Sequence, residues 1–479
     1  MDEREHRCLV VLDIDRIQDY VFNPPRLKLI RNASLLIEYF VQQLNKTKGV
    51  NGIPPKVVYA RGGGAEILFK DTDEGHAFVK EVEGRFQRDT GIATITGHAE
   101  EWKAEESPGK WQERAMTMLQ LKKRGKQGSS SLLSSLYTKS CEECGLNPAT
   151  SKVLRDRYLC RACAVKNEFS KNFPSEKQAI VKYLEAKYGD HISLTYPDEF
   201  DQISDQSKPA NYLALVYVDV NRMGEHKKAQ NDFGRITHFS CLVEKALFEA
   251  TASSIVETIN PSVYVPFPVA FCIAGGDDIV FVLPADWAIP VALNLCDKFE
   301  KLQQEGEKWK GYSKITISVG VAIAKGNFPF ASMLDMAKQL LRSAKRKNWR
   351  NLKPEDESTD QSTLDFQLLG SGLQSLEDIR GRDREVYPGF ADCRPLSLKE
   401  MGDLVSFVKE LKDKGVPLGR FKALYRSLCY GPEQALLDYC LMLTRLKDEQ
   451  RKIFRSCFPD NDKGFLERIP AILELYDFL

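Results

Sequence analysis

The chain has 479 residues, of which 43% are hydrophobic and 28% charged, and its 68 basic and 67 acidic side chains give a formal net charge of +1. This length predicts about three or four domains, and the composition is that of a globular protein with a sizeable core. A net charge near zero excludes a global basic field that would hold nucleic acid by charge alone. Residues 1–7 carry no signal-peptide core, and no apolar run approaches the ~20 residues of a membrane span. We therefore expect a cytoplasmic protein without a membrane partner.

The first hundred residues alternate strand-like and helix-like segments. An apolar, β-branched run precedes a helical apolar stripe, two short strand-like runs around a glycine turn, a second helical segment and a last strand-like run. These segments are 8–15, 27–43, 56–60, 66–70, 75–88 and 92–97. The order β-α-β-β-α-β predicts a ferredoxin-like domain.

The same order recurs in residues 210–350, which indicates an internal repeat. The corresponding segments are 212–220, 236–259, 269–274, 279–283, 287–302 and 314–324, followed by a helix over 330–347. Residues 12–16 (LDIDR) align with 218–222 (VDVNR), and 63–69 (GGAEILF) align with 275–281 (GGDDIVF). In this alignment Ala65 replaces Asp277, so the first copy is expected to be degenerate. Its glycines, Gly63 and Gly64, are candidates for nucleotide contact, and a purely structural duplicate is the alternative.

Three acids of the second copy form the candidate catalytic site. Asp219 ends a buried strand, and Asp277 with Asp278 occupies a Gly-Gly turn between two strands. The first strand of a ferredoxin-like sheet lies beside that hairpin, so we expect the three carboxylates to converge. Clustered acids raise one another's pKa, and a hard cation such as Mg²⁺ or Mn²⁺ relieves this repulsion. Two such ions about 3.5–4 Å apart would activate a ribose hydroxyl and stabilise a leaving pyrophosphate.

Neighbouring residues would bind the nucleotide. Gly275 and Gly276 lack side chains and allow a close approach to the backbone. Lys345, near the end of the last helix, is a candidate for clamping a triphosphate. The simpler alternatives are a β-hairpin turn, in which Gly and Asp are common, and a solvated basic helix end.

Four cysteines form the candidate metal site. Cys141, Cys144, Cys160 and Cys163 have the spacing C-x2-C-x15-C-x2-C, which is typical of structural Zn²⁺ sites. Four unrelated buried thiols are the alternative. The other cysteines are scattered along the chain.

Composition and pattern divide the chain into four parts. We predict a first domain over 1–104, a helical connector with the cysteine module over 105–209, and a second domain over 210–385. A helical C-terminal domain follows over 386–479. Within the second domain, residues 351–385 are charged and contain Gly and Ser, which predicts a linker.

Several of these motifs are shared with a known family. They are residues 218–224 (VDVNRMG) with 274–278 (AGGDD), the cysteine module between the two copies, and residues 15–22 (DRIQDYVF) with 28–34 (KLIRNAS). With them, the chain resembles the large Palm-domain subunit of type III CRISPR effector complexes, the cyclic oligoadenylate synthase family. It resembles a form without the N-terminal HD nuclease domain of many members. Asn221 stands where many relatives have a second aspartate.

The resemblance implies an α+β protein with two ferredoxin-like, nucleotidyl cyclase-like Palm domains, an inserted zinc module and a helical C-terminal domain. It implies a metal-dependent nucleotidyltransferase that converts ATP to cyclic oligoadenylate. Asp219, Asp277 and Asp278 would hold Mg²⁺ or Mn²⁺, and the partners would be other subunits, guide RNA and target RNA. Two alternatives stay open, a catalytically silent, RNA-contacting scaffold subunit and a stand-alone signalling nucleotide cyclase.

Overall fold

Two sheets of the same topology form the centre of the structure. The computed structural model describes residues 6–46, 54–103, 106–126, 138–153, 157–173, 175–189, 196–230, 232–259, 267–351, 361–370, 374–386, 392–457 and 462–479. No helix within these ranges is both long enough and apolar enough to cross a membrane.

The first Palm domain is a four-stranded antiparallel sheet with the strand order β2-β3-β1-β4. Its elements are β1 (Cys8–Ile14), α1 (Ile17–Phe22), α2 (Leu27–Leu44), β2 (Lys56–Arg61), β3 (Gly64–Phe69), α3 (Thr72–Thr90) and β4 (Ile95–Glu101). α3 begins after Asp71, whose carboxylate accepts a hydrogen bond from the Glu74 amide, and it ends at Gly91 with φ +84°. The predicted segments are all present, and β4 lies a few residues later than predicted.

The connector and the cysteine module pack against this domain. Their elements are α4 (Pro108–Lys126), β5 (Ser151–Val153), β6 (Arg157–Leu159), α5 (Arg161–Asn172), α6 (Ala179–Tyr188) and α7 (Asp201–Ser204). α4 is more than a connector, because it buries Trp111, Ala115 and Leu119 against Leu9 and Val11 of β1. Residues 127–137, between α4 and the cysteine module, lie outside the described residues.

The second Palm domain repeats the plan with the strand order β8-β9-β7-β10. Its elements are β7 (Tyr212–Val220), α8 (Met223–Lys228), α9 (Phe233–Thr258), β8 (Ala270–Gly275), β9 (Asp278–Pro284), α10 (Ala285–Glu305), β10 (Ile317–Lys325) and α11 (Phe330–Asn351). A short 3-10 helix spans Glu307–Trp309. The strand β7 is almost wholly buried, which is expected for the central strand of a covered sheet.

The predicted linker over 351–385 is wrong in part. The strand β11 (Thr363–Leu368) extends the sheet parallel to β10, and the helix α12 (Leu376–Val386) follows. Asp365 in β11 is fully buried because Arg380 of α12 pairs with it at 2.6 Å. The buried charge made this strand look like a solvated segment in the sequence. Residues 352–360 and 371–373 lie outside the described residues.

The C-terminal region is helical, as predicted. β12 (Leu396–Ser397) pairs with β11, and α13 (Leu398–Asp413), α14 (Leu418–Ser427), α15 (Pro432–Thr444), α16 (Asp448–Cys457), α17 (Asp462–Leu466) and α18 (Ile469–Leu475) follow. A capping box of Ser397 and Glu400 starts α13. The helices share one continuous core with the second Palm domain. The predicted α+β architecture is thus confirmed, while the boundaries after residues 104, 209 and 385 stay predictions.

Candidate active site between the Palm domains

The β-hairpins of the two Palm domains meet tip to tip. Gly62 has φ +59° and Gly276 has φ +70°, so both turns use the left-handed region that favours glycine. A Cβ at Gly62 would lie 3.3 Å from the Gly275 carbonyl oxygen and 3.5 Å from the Gly276 Cα. The glycines therefore let the two hairpins approach each other as well as leave room for a ligand.

Equivalent hydrogen bonds fix the structural register of the repeat. The Ile14 amide donates to the Gly63 carbonyl oxygen at 3.0 Å, and the Val220 amide donates to the Asp277 carbonyl oxygen at 2.9 Å. Gly63 is therefore the counterpart of Asp277, and the sequence alignment given above is two residues out of register. A two-residue slip keeps every side chain on the same face of a strand, so the alternation pattern could not reveal it.

The corrected register changes the interpretation of the first Palm domain. Asp13 pairs with Gly64 where Asp219 pairs with Asp278, so glycines replace both turn acids. Glu66 lies two residues further along β3, and its carboxylate accepts hydrogen bonds from the Gln112 amide at 2.7 and 2.8 Å. Burial raises the pKa of Glu66. The first domain thus keeps one of the three acids, Asp13, at a matching position.

In the second Palm domain, Asp219 of β7 and Asp278 of β9 face each other on neighbouring strands. Burial is the main cause that raises the pKa of Asp278 to about 8, and repulsion from Asp277 and Asp219 adds to it. Burial also raises the pKa of Asp219 to about 6, opposed by Lys345, whose ammonium contacts the Asp219 carboxylate. The sequence-predicted Lys345 therefore lies in the site.

The third acid lies on the other side of the turn. Asp278 lines a cavity of about 260 Å³ with Gly63 and Gly275, whereas Asp277 lines a cavity of about 490 Å³ with Gly64 and Gly276. Each cavity is built from both Palm domains. The predicted nucleotide-contacting glycines are thus divided between two clefts, one on each side of the joined hairpins.

The acids suit a hard cation that is held by two carboxylates and whose coordination is completed by a ligand group such as phosphate. In the described part of the chain, the cysteine module is the one group of three or more potential ligand side chains whose ligand atoms all lie within 4.8 Å of one another. Asp219, Asp277 and Asp278 are more widely spread. Burial is the largest cause of the raised pKa of Asp278, and a divalent cation would relieve the repulsion from Asp277 and Asp219 that adds to it.

Sequence reasoning missed the lysine of the first Palm domain. Lys123 of α4 contacts Asp13 and also donates to the Ile14 carbonyl oxygen at 2.9 Å, as Lys345 contacts Asp219. The separation from the first residue of the preceding strand is the same in both copies (95 to 123 and 317 to 345). Extending the repeat beyond the hairpin would have found this residue.

A glutamate pair at matching positions of α2 and α9 also escaped the sequence analysis. Glu244 accepts a hydrogen bond from the Gly276 amide at 3.4 Å and pairs with Arg61 at 2.5 Å. Glu38 accepts from the Ala179 amide at 2.7 Å, and its other carboxylate oxygen is buried without a hydrogen-bond partner. Burial is the main cause that raises the pKa of Glu38 to about 7.

Glu38 predicts a pH-dependent cost to stability. Its folded-state pKa lies above the usual 4.5. The contribution of Glu38 to the free energy of unfolding is therefore most favourable below pH 4.5 and is lost as the pH rises through 7. We expect Glu38→Gln to match wild type near pH 4.5 and to be more stable by about 3 kcal/mol at pH 8. Urea unfolding at both pH values measures this, with Glu81→Gln on the exposed face of α3 as the control. Equal stabilities at pH 8 would contradict the prediction.

The four predicted cysteines meet in the module between the Palm domains. Their sulfur atoms all lie within 4.8 Å of one another, and the Cys144 and Cys160 sulfurs are 3.9 Å apart. Tetrahedral Zn²⁺ with Zn–S bonds of about 2.3 Å places sulfurs about 3.8 Å apart, so the cluster fits this ion. Cys160 also caps α5 by accepting from the Cys163 amide.

A buried lysine joins this module to the first Palm domain. Lys166 of α5 is 2% exposed, and its ammonium donates to the Tyr20 carbonyl oxygen and lies 4.0 Å from the Tyr20 ring centroid. Burial lowers the pKa of Lys166 to about 8, opposed by the nearby cysteines. Asn32 donates to the Lys166 carbonyl oxygen at 2.9 Å. The module is thus anchored to both α1 and α2.

We expect Cys144→Ser to remove bound zinc and to lower the Tm by at least about 5 °C, because a structural metal contributes directly to folding. Zinc content by atomic spectroscopy and a thermal melt measure the two effects. Cys429→Ser, at an exposed thiol outside the module, is the control and should change neither. A zinc-free wild type with the same Tm would count against a structural metal.

Comparisons with known proteins identify the fold. A family model described as Cas10/Cmr2, second palm domain, matches residues 212–352. The solved Csm1-Csm4 cassette in complex with cA3 is similar to this chain, with a TM-score of 0.62 and 14% identity over 99% of this chain and 70% of that one. Csm1 from T. onnurineus is similar with a TM-score of 0.61 and 14% identity, over 99% of this chain and 69% of that one. The Csm1-Csm4 cassette in complex with one ATP is similar with a TM-score of 0.61 and 15% identity, over 99% of this chain and 70% of that one. No curated protein matches the chain.

These likenesses agree with the architecture derived from the residues. The matched segment contains Asp219, Asp277, Asp278 and Lys345, and the structural similarity extends over nearly the whole chain. The resemblance to a large Palm-domain subunit is therefore confirmed. Residues 212–352 match the second palm domain of Cas10/Cmr2, in a chain that has the fold of Csm1.

Proposed function

We propose that the chain is a nucleotidyltransferase that converts ATP to cyclic oligoadenylate as a subunit of a type III CRISPR complex. The observation that carries this proposal is the pair Asp219 and Asp278, held opposite each other on neighbouring strands where the clefts of both Palm domains meet. Raised carboxylate pKa values beside a lysine are typical of catalytic sites. The family to which residues 212–352 belong supports the assignment.

The residues divide the work of the reaction. One ATP would be the donor at Asp219, Asp277 and Asp278, and a second would be the acceptor on the first Palm domain. The acceptor 3′-oxygen attacks the donor α-phosphorus, a P–O bond forms, the bond to pyrophosphate breaks, and the hydroxyl proton passes to water. Mg²⁺ or Mn²⁺, when bound, would supply positive charge for the phosphates. Lys345 would add charge at the triphosphate, and repetition with ring closure gives the cyclic product.

The two clefts support a reaction between two nucleotides. They lie on either side of the joined hairpins, and each contains one of the two turn acids. Glycines line both clefts, so a nucleotide can approach the backbone closely. They are Gly63 and Gly275 in one cleft and Gly64 and Gly276 in the other. Holding both reactants in fixed positions supplies much of the catalysis in such transfers.

The partners follow from the same likeness. Similar structures are cassettes of Csm1 with Csm4, solved with ATP, cA3 and cA4. We propose that this chain likewise assembles with other type III subunits, which bring guide RNA and target RNA to it. Zn²⁺ in the cysteine module would have a structural role.

Incubation with α-labelled ATP and Mn²⁺ or Mg²⁺, followed by chromatography and mass analysis, tests the reaction. The double variant Asp277→Ala with Asp278→Ala is run beside wild type, and we expect it to lose all oligoadenylate while keeping the fold. Unchanged product from that variant would overturn the proposal. Activity of the isolated chain would indicate a stand-alone cyclase. Silence even with partner subunits, guide and target RNA would indicate a scaffold.

A further inference from the structure

We infer that the first Palm domain positions a carboxylate of the second through Gln18 and Tyr217. In this inference, which rests on the proposed function, Gln18 and Tyr217 are positioning residues for Asp278. The catalytic acids would then depend on contacts from both halves of the repeat.

A chain of two hydrogen bonds crosses from one domain to the other. The Gln18 amide nitrogen donates to the Tyr217 hydroxyl oxygen at 2.7 Å, and that hydroxyl donates to Asp278 Oδ2 at 3.2 Å. Gln18 lies on α1 of the first domain, directly after Arg16 with φ +48° and Ile17. Tyr217 lies on β7, two residues before Asp219, and is only 4% exposed.

The direction of both hydrogen bonds follows from the chemistry of the groups. An ionised carboxylate only accepts, so the single hydroxyl proton of Tyr217 must point to Asp278 when that residue holds a cation. The tyrosine oxygen can then only accept from Gln18, and a glutamine amide can donate. Gln18 therefore fixes the orientation of the hydroxyl, and the hydroxyl fixes the orientation of the carboxylate.

We call the two hydrogen bonds from Gln18 through Tyr217 to Asp278 the relay. The repeat shows that folding alone does not require this relay. In the corrected register, Val11 of the first domain is the counterpart of Tyr217, and Gly224 is the counterpart of Gln18. Neither can make the corresponding bonds. The relay is thus present only where the hairpin carries Asp278, and its counterpart is missing where the hairpin carries Gly64.

A group that orients a metal-binding carboxylate should influence metal affinity. Loss of such an outer partner typically weakens metal binding about 10-fold or more. Gln18→Glu tests the direction of the bonds, because a carboxylate at residue 18 would accept the tyrosine proton and turn it away from Asp278. Tyr217→Phe removes the hydroxyl and nearly preserves the volume.

Equilibrium binding of Mn²⁺ provides the readout, measured by the electron paramagnetic resonance signal of free Mn²⁺ with AMPPNP present and the cysteine module saturated with zinc. We expect Gln18→Glu and Tyr217→Phe each to weaken Mn²⁺ binding about 10-fold, with oligoadenylate synthesis largely restored at saturating Mn²⁺. Asn23→Asp adds the same charge at the exposed end of α1 and should leave binding unchanged. In an Asp278→Asn background, Gln18→Glu should have little further effect.

The outcomes separate this inference from the proposed function. Unchanged Mn²⁺ affinity in the folded Gln18→Glu protein, or a wild type that binds no Mn²⁺, would overturn the relay. An equal loss in the Asn23→Asp control would also overturn it, because charge alone would then explain the effect. A wild type that binds Mn²⁺ with the expected dependence on Gln18 but makes no oligoadenylate would overturn the proposed function and leave the relay standing.

Discussion

Replacement of Asp219 by asparagine is expected to reduce oligoadenylate synthesis at least about 100-fold, the scale on which loss of one preorganised electrostatic group acts. Its carboxylate lies opposite Asp278 and contacts Lys345, so it is placed to share a cation with Asp278. Asparagine keeps the shape and can still accept a hydrogen bond from Lys345. Steady-state turnover at several Mn²⁺ concentrations measures the effect.

The internal repeat supplies the matched control for this variant. Asp13→Asn changes the same residue type at the same position of the first Palm domain, where glycines replace both turn acids. We expect its effect to stay within about 10-fold, because the donor-site charge is unchanged. The metal-free Asp219→Asn protein should melt no lower than wild type, since it loses a buried charge whose pKa is raised. Equal losses from the two variants would contradict the assignment of catalysis to the second Palm domain.

The sequence was sufficient for the repeat and for most of its strands, because alternation and apolar runs determine which face of an element is buried. The sequence also predicted that Asp219 and Asp278 converge and that Lys345 serves the same site, because the sheet topology places β7 beside β9. The register of the first hairpin could not be read, because residues 62–64 are all glycine and a two-residue slip preserves the pattern. Only backbone hydrogen bonds distinguish the two alignments.

Two side-chain contacts could not be predicted from the sequence pattern. Gln18 and Tyr217 are 199 residues apart, and nothing in either local sequence indicates that their side chains meet. The strand β11 was overlooked because Asp365 and Gln367 make it look solvated, although Arg380 neutralises the aspartate inside the core. Buried charge has no local signature, since its partner is supplied by the tertiary fold.

A second buried charge cluster, which the local sequence also does not indicate, joins the C-terminal helices to the second Palm domain. Arg394 is 1% exposed at its side chain and pairs with Asp392 at 2.7 Å and with Glu474 of α18 at 2.9 Å. It also donates to the Phe366 carbonyl oxygen of β11 at 3.0 Å. Glu474 in turn accepts from the Leu368 amide at 2.7 Å. One guanidinium thus holds α18 against the edge of the sheet.

Arg394→Met is therefore expected to destabilise the C-terminal helices by about 3–5 kcal/mol, because it leaves acids buried without their cation. Urea unfolding followed by circular dichroism, with proteolysis to locate the opened segment, measures this loss. Adding Glu474→Gln removes one of the stranded charges and should recover about half of it, since a buried pair replaced as a whole costs little. Arg382→Met, at an exposed arginine of α12, should stay within about 0.5 kcal/mol of wild type. If the double variant is no more stable than Arg394→Met alone, the loss is one of packing, and the charge argument for this cluster fails.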